Sequence, residues 1–343
     1  MSTHPLIQLS RVKFLEFVRE PEAIFWVLVF PVLLALALGV AFRSKTPEPL
    51  SVAVSDGPGA DEAVRALGAD PGLRAKLLSE EEARESLRAG KVALVVIPGE
   101  PLTYWFDPVR EESRIARLAV DAALQRAAGR TDPKATATRE MTEKGSRYID
   151  FLVPGLLGMN LMGTGMWGIA FSIVTARSRG LLKRLVATPM RKRHYLLGQM
   201  FGRLVFLFPE VAVLVGFAHV AFGVPLNGSI AALAVVTGLG AMAFTGIGLL
   251  VAARPRTIEG VSGLMNFVML PMWIFSGVFF SPSRFPDAMM PAIRLLPLTA
   301  LNEALRAVMI DGATLAMVAQ ELAIIGAWGA LAFVVALRLF RWR

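Results

Sequence analysis

The chain is 343 residues long, 55% hydrophobic and 18% charged, with a formal net charge of +9 and a mean hydropathy of +0.55. So apolar a composition excludes an ordinary soluble domain and makes the number of membrane spans the first question. The absence of Cys excludes thiol chemistry, disulfides and Cys-based zinc sites, and no basic stretch carries the interleaved aromatics of a nucleic-acid surface.

In chain order, residues 1–22 read as a cytoplasmic interfacial helix. Leu6, Ile7, Leu9, Val12, Phe14, Leu15 and Val18 form one stripe against Arg11, Lys13, Glu16 and Arg19. The polar start of a longer first helix fits the same pattern equally well. Residues 23–42 form the first span, with Pro31 predicted to kink it and Phe25 and Trp26 at its entry. The run is too long for a signal-peptide core and no small-residue cleavage site follows, so it reads as a retained anchor.

Residues 43–148 differ in kind. Between residues 43 and 147 there are seventeen Lys or Arg and seventeen Asp or Glu, a balance suited to a domain translocated outside. Strands are predicted at 50–54, 91–97 and 102–106, and helices at 60–67, 79–89 and 111–130, which together make a small external α/β domain.

Five further spans follow, at 149–174, 196–222, 229–253, 260–280 and 315–337. The first of them is rich in Gly and Met, which lets helices approach closely in lipid. The loop at 175–195 carries Arg177, Arg179, Lys183, Arg184, Arg191, Lys192 and Arg193 without one acid, which fixes it on the cytoplasmic side. Residues 281–312 are interrupted by Pro282, Pro286, Pro291 and Pro297 and read as an external re-entrant segment. Arg338, Arg341 and Arg343 close the chain inside. The expected fold is an integral membrane protein, mainly α, with six transmembrane helices, an N-terminal interfacial helix and an external α/β domain between the first and second spans.

No catalytic or metal constellation emerges. The three His residues are His4, His194 and His219, and HExxH and GxSxG arrangements are absent. There is no GxxxxGK[ST], so these residues do not cradle ATP phosphates through a P-loop. Glu210 and His219 lie in the third span, where ionisable groups are costly and often functional. They are nine residues apart, and two positions near opposite interfaces fit them better than a polar path. The loop segment 180–189 has apolar residues at 181, 182, 185 and 186 opposite its cations, ended by Thr188-Pro189. Such a helix serves either as a knob for a partner's groove or as a basic face held against anionic headgroups.

The run RSRGLLKRLVATPMRKRHYLLGQ resembles the cytoplasmic loop of ABC-type-2 export permeases, at Gly180, Leu185, Ala187, Thr188, Pro189, Gly198 and Gln199. The acidic residue that the family carries before the glycine is absent; Arg177 and Arg179 occupy that region. A GKxxLVVIP-like strand at 90–98 and the span layout extend the resemblance over nearly the whole chain. It implies a permease subunit of an ATP-driven exporter in a bacterial plasma membrane, with both termini cytoplasmic. The cargo would be a hydrophobic or amphipathic drug, antibiotic or lipid. ATP and Mg would be bound by two copies of a separate ABC ATPase subunit, with no cofactor on this chain. A second permease copy, identical or different, would complete the assembly. Gly180, Leu182, Leu185, Thr188, Pro189 and Arg191 would couple to the ATPase. Asn160, Thr164, Asn266 and Ser276, on the second and fifth spans at the dimer interface, would line the substrate path or bond helix to helix. Two other classes fit the residues alone: a membrane-anchored surface or assembly protein whose external domain binds a partner, and a proton-coupled transporter using Glu210, His219 or Glu321.

Overall fold

The computed structural model describes residues 19, 21–41, 49–131, 134, 137, 145, 147–182 and 192–340. The chain divides into two compact units, Met1–Arg43 with Thr142–Arg343, and Ser44–Met141. The coupling-loop residues Leu185, Thr188, Pro189 and Arg191, and nearly all of the expected interfacial helix, lie outside the described residues.

In the first unit the opening helix α1 (residues 21–41) is continuous but not uniform. Pro21–Ile24 is α-helical, Phe25–Val29 is a π-helical turn and Phe30–Ala41 is α-helical again. The π turn ends just before Pro31, where the missing N–H and the ring disturb the regular ladder.

The second unit alternates strands and helices: β1 (Leu50–Ser55), α2 (Ala60–Gly68), β2 (Leu73–Leu78), α3 (Glu80–Arg88), β3 (Leu94–Ile97), β4 (Thr103–Trp105) and α4 (Glu111–Ala127). They form one four-stranded sheet in the order β2-β1-β3-β4. β1 pairs parallel to both β2 and β3, and β4 closes one edge antiparallel to β3. Central β1 has Val52, Ala53 and Val54 buried on both faces, as a strand covered by helices on each side requires. One face packs Val52, Val54, Leu94 and Val96 against Ala63 and Leu67 of α2 and Ala116 and Val120 of α4. The other packs Ala53 and Val95 against Ala83 of α3. β2 is an addition to the sequence reading. It is an edge strand whose Arg74 and Lys76 are exposed, the usual protection of an open edge. Ser79 then caps α3 in a reciprocal pair with Glu82: the Ser79 hydroxyl accepts from Glu82 N–H and the carboxylate accepts from Ser79 N–H at 3.2 Å.

The first unit continues with α5 (Tyr148–Ser178), α6 (Lys192–Phe222), α7 (Ile230–Val251), α8 (Ile258–Phe275), the short α9 (Met290–Arg294), α10 (Pro297–Met309) and α11 (Ala319–Leu339). Five helices are long and apolar enough to cross a membrane: α5, α6, α7, α8 and α11. A shorter apolar helix runs Phe25–Ala41. α8 stops at Phe275, short of the expected residue 280, because Gly277 turns the chain at a φ of +68°. α10 has thirteen residues, roughly 20 Å of helix, too short to cross a bilayer core.

Contacts among these helices depend on small residues. A Cβ on Gly248 of α7 would meet the Met166 backbone of α5 at 2.9 Å, and one on Gly329 of α11 would meet Ala243 Cα of α7 at 3.0 Å. Dispersion in lipid rewards such backbone-to-backbone approach, since apolar bulk alone gains nothing there.

Candidate functional site

α5 is the axis on which the polar groups of this unit are arranged. At its start, Arg147 forms a two-point pair with Asp150, Nε to Oδ2 at 2.9 Å and Nη2 to Oδ1 at 2.8 Å. The same guanidinium donates to the carbonyls of Phe222 at 2.9 Å and Gly223 at 3.2 Å, the C-terminal end of α6. At the other end of α5, Arg177 donates to the carbonyls of Ala252 at 3.0 Å and Ala253 at 3.2 Å, just past α7, and to Pro255. Its guanidinium also lies 5.6 Å from the Phe340 ring centroid. Helix C-termini expose unpaired carbonyls and a partial negative charge, and a cation satisfies both. These two contacts make α6 antiparallel and α7 parallel to α5.

Midway along α5 a polar node is enclosed by three helices. Asn160 and Thr164, one turn apart, face Arg203 and Glu210 of α6. Arg203 pairs with Glu210, and both side chains are buried, 5% and 0% exposed. Thr164 Oγ1 stands 3.1 Å from Glu210 Oε1 and 2.7 Å from the Asn160 carbonyl, and it accepts from Arg203. Asn160 Nδ2 donates at 3.2 Å to the carbonyl of Val27 in the π turn of α1. Val27 lies four residues before Pro31, so the usual i+4 donor to that carbonyl does not exist. The Asn160 amide takes its place and ties α1 to α5. Arg203 Nε and Gln199 Oε1, one turn apart on α6, are buried without a partner.

Removing two charges from water is expensive, and the pair repays this only through close geometry and further hydrogen bonds. Glu210 therefore does not sit near an interface as the sequence suggested: it is fully buried inside α6 with a cation bound to it. The sequence reading missed Arg203. Its signal was a basic residue inside an apolar run, seven positions before an acid and hence on the same helical face.

A second set of ties holds the segment after α8. Arg306 of α10 donates to the carbonyls of Phe151 at 3.3 Å and of Gly277, and its guanidinium lies 3.8 Å from the Phe151 ring centroid. Asn302 Nδ2 donates to the Ser276 carbonyl at 2.8 Å.

The structure thus brings together two of the four substrate-path residues. Asn160 and Thr164 share the node; Ser276 is buried against Asn302, and Asn266 is exposed on α8. Of the coupling residues that are described, Gly180 follows the C-cap of α5 with φ +72°, its N–H donating to the Arg177 carbonyl at 3.0 Å. That left-handed position ends the helix and favours glycine. Leu182 is fully buried in the core, while neighbouring Leu181 is exposed. The groups a proton relay would need are engaged separately: Glu210 holds Arg203, and His219 Nδ1 lies 3.0 Å from the Val224 carbonyl. Among the described residues no three His, Asp or Glu side chains gather as a metal site requires.

Comparison with known proteins bears on this arrangement. The family model described as ABC-2 family transporter protein matches residues 21–338. ABC transporter G family member 20 of Dictyostelium discoideum is 30% identical over 169 residues, covering 49% of this chain and 23% of that protein. The linearmycin resistance permease protein LnrN of Bacillus subtilis (strain 168) is 26% identical over 176 residues, covering 51% of this chain and 46% of that protein. The matched part therefore spans less than half the length of either relative. No solved structure matches the chain significantly.

Proposed function

Because the chain belongs to the ABC-2 family of transporter proteins, we propose that it is the permease subunit of an ATP-driven exporter in a bacterial plasma membrane. The observation that carries this reading is the extent of the family match, which runs from α1 to the end of α11 and takes in both units. Residues 21–41 act as a sixth span beside the five long apolar helices, both termini lie in the cytoplasm, and the charge-balanced residues 44–141 lie outside. The basic loop supports that orientation, since Lys and Arg beside spans resist translocation.

The sequence holds no P-loop, so ATP and Mg bind two copies of a separate ABC ATPase subunit. Two permease copies, of this chain or of this chain and a related one, complete the transporter, with α5 and α8 near the interface. The exposed Asn266 on an otherwise apolar face of α8 supports a protein neighbour there rather than lipid. The cargo is a hydrophobic or amphipathic compound moved outward. The printed name of the Bacillus subtilis relative, a resistance permease, favours efflux of a small molecule.

ATP-driven closure of the partner pushes on the loop beginning at Gly180, with Leu185, Thr188, Pro189 and Arg191 as its contact surface. Arg177 at the end of α5 is the route by which that push reaches α7 and the turn before α8. Moving cargo needs two states of the spans that the ATPase biases. The test is Leu185→Asp in the full chain co-expressed with its ATPase. Loss of co-purification and of permease-stimulated ATP hydrolysis, at unchanged yield, is expected. Unchanged stimulation overturns the coupling assignment, and transport that persists after ATP depletion with the proton gradient intact overturns the exporter reading.

A further inference from the structure

The second unit carries a cleft that the transport reading does not use. It lies between α3 and the turn leading into α4, has a volume of about 540 Å³, and is lined by Arg84, Leu87, Arg88, Gly90, Phe106, Asp107 and Arg110 among others. A volume of that order is typical of small-ligand sites, which pair apolar walls with a few convergent polar groups. Here the walls are Leu87 and Phe106, and the polar groups are three guanidinium ions.

We propose that this cleft binds a phosphate-bearing ligand. Arg84 and Arg88 are four residues apart on α3, so their side chains leave the helix on one face. Arg110 reaches them from the other wall. The acids that might neutralise the three are engaged or remote. Asp107 turns its carboxylate to its own loop, accepting from Val109 N–H at 2.9 Å. Glu82 is held in the cap of α3 by Ser79. Glu85 lines a separate hollow with Lys91. The carboxylate nearest Arg110 is that of Glu112, 3.9 Å away and 73% exposed. Three forks around one concavity suit the tetrahedral, multiply charged face of a phosphate group better than a single carboxylate.

Gly90 sharpens the assignment. Its φ of +72° lies in the left-handed region, and a Cβ there would stand 3.2 Å from Arg110 Nη2 and 3.4 Å from Nη1. The absent side chain is what lets the Arg110 guanidinium lie over the backbone at the floor of the cleft. Phe106 is braced from behind by Arg117, 5.4 Å from its ring centroid. Val109, beside Arg110 in the chain, is 90% exposed, and an apolar side chain at that position can meet a ligand's hydrocarbon portion. The phosphate could come from a lipid headgroup or from a soluble phosphate compound, and the experiment separates them.

The full chain in phosphatidylcholine nanodiscs is titrated calorimetrically with inorganic pyrophosphate and with dihexanoyl phosphatidic acid. The expected result is saturable binding of one or both, weakened about tenfold or more in Arg84→Gln/Arg88→Gln, a loss of order one charge-assisted contact or greater. Arg74→Gln, which removes an equally exposed charge from β2, should bind as the parent does. Tighter binding of the phosphatidic acid assigns a lipid headgroup; equal or tighter binding of pyrophosphate assigns a soluble phosphate. Gly90→Ala should weaken binding with the near-ultraviolet dichroism of Trp105 unchanged. Absence of saturable binding, equal binding by the double variant, or an equal loss in Arg74→Gln overturns the proposal.

Discussion

In residues 44–141 the buried side chains are Val, Leu and Ala closing on two faces of a sheet, and its charged residues stay at the surface. The helical unit buries Asp150, Arg177, Arg203 and Glu210 together with Asn160, Thr237, Thr245, Ser276, Thr299 and Asn302. The contrast follows from the two solvents. In water, withdrawing apolar surface is itself the driving force, at roughly 25 cal/mol per Å². Between lipid-embedded helices that term vanishes, so association relies on close approach at small residues and on hydrogen bonds. The helical unit accordingly ties α1 to α5 by Asn160, α5 to α6 by Arg147 and the Arg203–Glu210 pair, and α5 to α7 by Arg177. The α/β unit has no comparable buried charge among the described residues, because its core does not need one.

Breaking the ion pair should show the contrast most strongly. Glu210→Ala leaves Arg203 charged and enclosed, with an expected loss of about 3–5 kcal/mol, measured by denaturation of the full chain in detergent. Arg203→Met/Glu210→Leu should recover most of it. A double variant as unstable as the single one would mean that the pair does more than neutralise itself. In the α/β unit the corresponding blow is apolar. Leu94→Ala, at a fully buried position of β3, should destabilise by about 2–5 kcal/mol, seen as faster hydrogen exchange confined to residues 44–141.

Close approach gives a smaller effect. A Cβ on Gly155 would meet the Val278 carbonyl oxygen at 2.5 Å, whereas one on Gly163, on the same helix, meets nothing within 4 Å. Gly155→Ala is expected to cost about 1–3 kcal/mol, and Gly163→Ala to lie within about 0.5 kcal/mol of the parent. Equal effects would show that small residues in α5 serve something other than helix contact.

The smallest effect is a pH dependence in the α/β unit. Burial, together with the hydrogen bond from the Tyr104 hydroxyl to Asp121 at 3.1 Å, pushes the phenol up from about 10 to about 12. The fold therefore holds this proton more tightly than the unfolded chain does. The stability it contributes is complete below pH 10 and is lost as pH rises toward 12. Ultraviolet titration of the phenolates should show one late-ionising tyrosine that disappears in Tyr104→Phe.

Much of the α/β unit was legible because its signals are local. The LSVAV and KVALVVI runs, the Ser79 cap and the helical stripes each specify their own conformation. β2 was not legible. Its alternating LRAKLL becomes a strand only by pairing with β1, and its exposed charges mask the pattern. In the helical unit, hydropathy marked the long helices and small residues marked the close faces. The pairing of Arg203 with Glu210 appeared in the sequence only as a spacing of seven.

By itself the sequence determined where apolar helices run, where the α/β insertion lies and which loop carries the positive charge, because hydropathy and local propensity are properties of short windows. Tertiary structure decided that Asn160 serves the Val27 carbonyl that Pro31 leaves without its donor, that Arg147 and Arg177 close the ends of neighbouring helices, and that Leu182 belongs to the core. Those contacts join residues between 70 and 140 positions apart or depend on which side of a helix meets its neighbour. A single chain window carries neither kind of information, since a polar group's partner in lipid is fixed only when the helices pack.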